Sequence, residues 1–231
     1  SAENLHNLRG AIVGRDVTVQ AKTDLAVRGG TITAERTLTA TAGRDLTVES
    51  STVDRRYAPN AGHNANASVE RHMIDRVAGL YVTGENGTLV AAAGRDLSLI
   101  AAALVNAAPE TRTPGAPGTP STAATLLTAG RDLTLATVTE TNAASTSSKR
   151  NRWRQDTTTE VGSTIAVAGN LTLSAGHDLA ARAASVTAGG ALTAAAGNDL
   201  ALTTGQATPS TDTWRKSTNS GLLGSSRKER R

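Results

Sequence analysis

The sequence predicts an all-β chain, a right-handed parallel β-helix with three strands per coil of about 21 residues and about six coils. Three observations carry this prediction. A Gly-x-Asp phrase returns along the chain, apolar anchors recur at a fixed interval, and the residues around each anchor alternate apolar and polar with a period of two.

The phrase stands at Gly14-Arg15-Asp16, Gly43-Arg44-Asp45, Gly94-Arg95-Asp96, Gly130-Arg131-Asp132, Gly176-His177-Asp178 and Gly197-Asn198-Asp199. Its middle position takes Arg, His or Asn, which suits an outward-facing turn residue and not a catalytic group. Glycine permits a positive φ or a close backbone approach at a corner, and aspartate caps turn amides.

The anchors supply the period. Val17, Leu25 and Ile32 are followed 21 residues later by Leu38, Leu46 and Val53, and Leu171, Leu179 and Val186 by Leu192, Leu200 and Ala207. Leu89, Leu97 and Leu104 keep the same internal steps, and Leu126 with Leu133 keeps them to within one residue. Each anchor opens a short alternating run, as in Leu46-Thr47-Val48 and Leu97-Ser98-Leu99, so one face of each strand is apolar and the other carries Thr or Ser. Three half-buried strands per turn describe a solenoid in which each strand pairs with its equivalent one coil on. At about 3.3 Å per residue the coil perimeter is roughly 70 Å, and six coils about 4.8 Å apart make a stack only about 29 Å long.

Composition agrees with a thin core. The 231 residues include no Phe, two Trp, two Tyr and 22 Gly, so the interior must be filled by Leu, Val, Ile and Ala. With 38% hydrophobic and 19% charged residues the chain is not of disordered composition. The absence of Cys excludes disulfides and thiolate metal sites. No apolar run reaches the roughly 18 residues of a spanning helix, and the opening "SAENLHNLRG" lacks the order of a signal peptide.

Three insertions interrupt the coils, at about 54–86, 105–121 and 139–163, and a basic, hairpin-like tail occupies 203–231. The first and third return to the coil register, so they hang from the solenoid. The third, alternating Thr with charge around "SSKRN", reads as a β-hairpin outside the coil, and the second, dense in Pro and Gly, as a loop. The tail shares the third insertion's composition. A chain that opens inside a coil and closes inside a hairpin is expected to be one β-helical piece of a longer protein.

The coils "TLTATAGRDLTVESSTV", "TLLTAGRDLTLATVTE" and "TIAVAGNLTLSAGHDLAARAASVTAGGALTAAAGNDLAL" resemble the haemagglutinin repeats of filamentous haemagglutinin and of the contact-dependent growth inhibition exoproteins. The polar hairpin leading into "TTTEVGSTIAVAGNLTLSAG" is similar to their second repeat region, and the likeness covers nearly the whole chain. The resemblance implies a secreted, extracellular rod at the bacterial cell surface, exported by an outer-membrane two-partner secretion transporter. Such a rod presents adhesive surfaces to a target-cell receptor, glycan or lipopolysaccharide, and in the inhibition systems carries a C-terminal toxin domain in cis. No enzymatic activity and no cofactor are expected.

The net charge is +4. Arg215, Lys216, Arg227, Lys228, Arg230 and Arg231 in the tail, and Lys149, Arg150, Arg152 and Arg154 around Trp153, form two basic clusters. Lys149, Arg150, Arg152, Arg154, Arg215 and Lys216 are the candidate surface for an anionic ligand, the phosphates of lipopolysaccharide or an acidic polysaccharide, with nucleic acid the least expected partner. The plainer reading of both clusters is a hairpin kept soluble by charge.

Catalytic and metal chemistry find little support. His6, His63, His72 and His177 show no metal-ligand spacing, and no metal site is expected. The Gly-Gly-x-Gly-x-Asp run of calcium-binding β-rolls is missing, as is any Gly-Lys-Ser or Gly-Lys-Thr for phosphate. The alternative is a β-helical protein that binds or cleaves polysaccharide, for which Asp54, Arg55, Arg56, Asp75 and Arg76 are the only local mixture of acids and bases.

Overall fold

The computed structural model describes residues 2–58, 65–106, 122–221 and 224–230, and its regular elements are all β-strands. The second insertion beyond Asn106, His63 and Arg231 lie outside the described residues, as do the side chains of 218–230. The chain forms two compact units. One comprises residues 1–51, 74–138 and 161–205; the other comprises 52–73, 139–160 and 206–231.

The first unit is a parallel β-helix. Its first face is a seven-stranded sheet of Leu5–Leu8, Leu25–Arg28, Leu46–Glu49, Leu97–Ile100, Leu133–Ala136, Leu179–Arg182 and Leu200–Thr203. The other two faces belong to one ten-stranded sheet, because Ala11–Ala21 and Thr31–Ala42 run through both. Gly79–Val82, Ala103–Asn106, Thr164–Val167 and Ser185–Ala188 continue the second face. Thr88–Ala93, Ala124–Ala129, Asn170–Ala175 and Leu192–Ala196 continue the third.

Period-two alternation sets which side chains enter the core. On the first face Leu5, Leu25, Leu46, Leu97, Leu133, Leu179 and Leu200 stand in register. The interior five are at most 1% exposed, and each contributes about 1.5–3 kcal/mol by burial. The core is filled by Leu, Ile, Val and Ala with no aromatic ring. In the last coil the equivalent leucines have neighbours on one side only, leaving Leu192 and Leu200 about half exposed.

Several sequence expectations are corrected. Ile32 pairs with Leu80, not Val53, since Val53 has already left for the second unit in Ser51–Tyr57. Ala207 likewise belongs to Ala207–Gly221 and does not follow Val186. The first insertion is shorter than 54–86, because Gly79–Val82 already lies in the coil between Thr31–Ala42 and Ala103–Asn106. The coil also keeps Val105 and Asn106 before the second insertion departs. Leu126 is not an anchor. Leu127 and Ala129 hold the inward positions, so parity turns Leu126 outward and puts Thr125 under Leu89. Buried Thr125 is satisfied by Asn106, whose Nδ2 donates to its Oγ1 at 2.9 Å and to the Gly87 and Ala124 carbonyls.

Each excursion into the second unit begins after a first-face strand, following Leu46–Glu49, Leu133–Ala136 and Leu200–Thr203. The corner there needs a left-handed residue in uninterrupted coils, supplied by Arg9, Gly29, Ala101 and Ala183 at φ of 46° to 57°. Where the chain leaves or returns, buried serines replace the lost backbone partners. Ser50 Oγ donates to Ala101 O and accepts from Ala78 N, and Ser163 Oγ donates to Leu99 O and accepts from Ala102 N.

The second unit is one six-stranded antiparallel sheet. Its order is Gly224–Arg230, Ala207–Gly221, Asn151–Val161, Val138–Ser148, Ala65–Arg76, Ser51–Tyr57. The excursions therefore pair with one another, Ser68 meeting Ser145 at 2.9 Å and Asn151 standing opposite Arg215. Replacing residues 142–160 by a short Gly-Ser turn removes the middle of this sheet. The solenoid should keep its cooperative thermal transition, while limited proteolysis should newly cut residues 65–73 and 207–221; loss of the solenoid transition would refute the division.

Candidate functional site

The Gly-x-Asp corner is a stacked rung structure. Its aspartates accept from the amide of their equivalent one coil on: Asp24 from Asp45 N, Asp96 from Asp132 N, Asp132 from Asp178 N and Asp178 from Asp199 N, at 3.1–3.4 Å. The middle residue reaches the aspartate of the preceding coil. Arg44 Nε donates to Asp24 Oδ1 at 2.8 Å, Arg95 Nε to Asp45 Oδ1 at 2.8 Å, and Arg131 Nε to Asp96 Oδ1 at 2.9 Å. These three guanidinium groups also lie near the aspartate of their own coil, at 3.6, 3.2 and 3.0 Å. The Arg44 guanidinium holds the Asp24 carboxyl below the usual carboxylate range, and the Asn198 amide does the same for Asp178. The arginines are exposed and the aspartates half-buried, so each pair is a modest contact whose value lies in fixing coil register.

Gly14-Arg15-Asp16 is not part of this series. It sits at the register shift within Ala11–Ala21, where Asp16 pairs with Arg36 of the next coil, and its place on the rung is taken by Lys22-Thr23-Asp24. The glycines of the true rungs are needed for close approach. An ideal Cβ on Gly94, Gly130, Gly176 or Gly197 would lie 2.1 Å from the carbonyl oxygen of the glycine one coil below.

The candidate anion surface lies on the second unit. Lys149 and Arg150 form the turn between Val138–Ser148 and Asn151–Val161, and Lys216 N donates to Arg150 O at 2.8 Å, which brings the tail's charges beside the turn. Arg152 stands opposite Trp214, and Arg215 opposite Asn151. The six residues share one end of the sheet but are not equally available. Arg154 is bound to Asp156 through two contacts of 2.6 and 3.0 Å, and Arg152 approaches Asp212 at 3.7 Å. Among the described side chains, Lys149, Arg150 and Arg215 have no acidic partner, while Lys216 stands opposite Glu229 on the neighbouring strand.

A groove of about 550 Å³ on the same unit is lined by Asp54, Arg56, Glu70, His72, Arg154 and Asp156 among others. Two of its acids are matched across strands, His72 Nδ1 to Asp54 Oδ1 at 2.6 Å and Arg56 to Glu70 at 3.1 Å, and Asp156 is matched by Arg154 of its own strand. Of the mixture of acids and bases singled out in the sequence, Asp54, Arg55 and Arg56 line this groove, whereas Asp75 pairs with Arg9 within the solenoid unit. Stacking also assembles Asp132, His177 and Asp178, whose ligand atoms all lie within 4.8 Å of one another. Sequence spacing conceals this set because Asp132 is brought in by coil pairing; the one signal is His177 standing where other rungs carry Arg.

Comparison with known families finds that the hemagglutinin repeat matches residues 7–88 and 143–229. The intervening segment carries the same registered leucines, Leu97 and Leu133. No curated protein and no solved structure gives a significant match.

Proposed function

The chain belongs to the hemagglutinin repeat family, and on that premise we propose that it is a stalk and interaction segment of a large secreted bacterial surface exoprotein. In this reading the solenoid supplies length and stiffness, and the antiparallel sheet supplies the surface met by a target cell. The full-length protein leaves through an outer-membrane two-partner secretion transporter and serves adhesion or, with a toxin domain in cis, contact-dependent delivery. The observation that carries the binding role is the gathering of Lys149, Arg150, Arg215 and Lys216 at one end of the sheet, the first three without an acidic partner among the described side chains. Such a cluster suits the phosphates of lipopolysaccharide or an acidic polysaccharide.

Binding to lipopolysaccharide micelles and to a polyuronate, followed across a salt series, tests this. Contacts of this kind are screened over about 8 Å at physiological ionic strength, so affinity should fall steeply with salt. Changing Lys149, Arg150, Arg215 and Lys216 together to Ser should weaken binding more than changing Arg152 and Arg154, with the fold retained. Indifference to salt and to the fourfold change would sink the basic surface, and release of unsaturated sugars from the polyuronate would favour the polysaccharide-cleaving alternative.

A further inference from the structure

We propose that the rung formed by Asp132, His177 and Asp178 binds a divalent transition-metal ion, with Zn2+ the best fit, in the place that a guanidinium occupies in the rungs before it. The space between successive aspartates is a cation position throughout the earlier coils. Arg44 fills it between Asp24 and Asp45, Arg95 between Asp45 and Asp96, and Arg131 between Asp96 and Asp132. At the next rung the sequence puts an imidazole there, with Nδ1 3.5 Å from Asp132 Oδ1 and 3.1 Å from Asp178 Oδ2. One coil further the position is Asn198, which brings no charge, so among the described residues the carboxylate series loses its guanidinium partners from Asp178 onward.

The geometry suits a shared ion. Two ligands about 2.0–2.1 Å from a tetrahedral Zn2+ lie roughly 3.4 Å apart, and the two histidine-to-carboxylate distances bracket that value. One imidazole nitrogen with two carboxylate oxygens favours Zn2+ and its transition-metal neighbours over Ca2+ or Mg2+, which take all-oxygen sets. The carboxylates are already oriented. Asp178 Oδ1 accepts from Asn198 Nδ2 at 2.9 Å and from Asp199 N at 3.1 Å, which turns Oδ2 toward the imidazole. Asp132 is steadied by Arg131 Nε at 3.0 Å and by the Asp178 amide. The His177 side chain is 57% exposed, so water completes the coordination and the ion has an open path. Bound there, the metal ties the coil of Asp132 to the coil of His177 as arginine does below.

The test is calorimetric titration of the full chain with ZnCl2, paired with thermal unfolding with and without EDTA. The wild type should bind one ion at this rung and gain a few degrees in unfolding temperature, reversed by EDTA. His177→Arg restores the arginine pattern and should fold while its affinity falls at least about tenfold. His177→Asn, which copies the Asn198 rung, should also fold and lose the ion, and it decides the matter if the arginine variant does not fold. His72→Ala, which removes the other described histidine paired with an aspartate, should change nothing. No saturable binding by the wild type, binding kept in both His177 variants, or binding lost in His72→Ala would overturn the assignment.

Discussion

Leu97→Asp should abolish cooperative unfolding of the solenoid under conditions where the parent is folded. Leu97 is fully buried and registered between Leu46 and Leu133, with Leu89 and Leu104 on the adjoining strands of its own turn. Truncating a core leucine costs about 2–5 kcal/mol, and an uncompensated charge in its place adds several more. The core holds no aromatic ring that could shift into the gap. A total of that size rivals the roughly 5–15 kcal/mol of a typical domain. The adjacent position is the control, because Ser98 lies on the outward side of the same strand: Ser98→Asp should move the urea midpoint little. Equal midpoints for the two variants would show that the inward and outward parities are wrong.

What the sequence makes legible is whatever repeats from coil to coil. Leu46, Leu97, Leu133, Leu179 and Leu200 align by spacing alone, because stacking demands the same apolar type at the same step, and the strands pair in that register. The alignment fails where a coil is interrupted. Val53 and Ala207 keep the 21-residue step yet leave for the antiparallel sheet, since one apolar residue at the right spacing cannot reveal where a strand turns outward. Thr125 and Leu126 mislead because a buried threonine satisfied by Asn106 breaks the rule that the apolar residue faces in. The pairing of the three excursions has no signal, for strands such as Val138–Ser148 are polar on both faces and their partners lie far away in sequence. The rung chemistry is half legible. The Gly and Asp repeats mark a corner, but the reach of each arginine back to the preceding aspartate needs the stack itself.

Gly94→Ala should destabilise the solenoid strongly, while Gly14→Ala, in what reads as the same phrase, should be tolerated. The added methyl on Gly94 would sit 2.1 Å from Gly43 O and 3.0 Å from Gly43 C, and both atoms are backbone held in the stack. Relief requires the two coils to separate at this corner. That loosens the bonds from Gly94 N to Ala42 O and from Arg95 N to Arg44 O, of 3.0 and 2.8 Å, together with the Arg95–Asp45 pair. Each hydrogen bond is worth about 0.5–1.5 kcal/mol, and the gap also loosens the leucine contacts behind it, so a loss of about 3 kcal/mol or more is expected. At Gly14 the nearest atom to an added Cβ is in the Val17 side chain at 3.1 Å, with backbone no closer than 3.7 Å. A side chain can yield by a few tenths of an ångström, and removing a glycine also restrains the unfolded chain, so the net change should stay within about 1 kcal/mol. Urea unfolding of the two variants measures the difference. Similar midpoints would mean that the rung glycines are not packed against one another, and the close stacking of the corner would have to be abandoned.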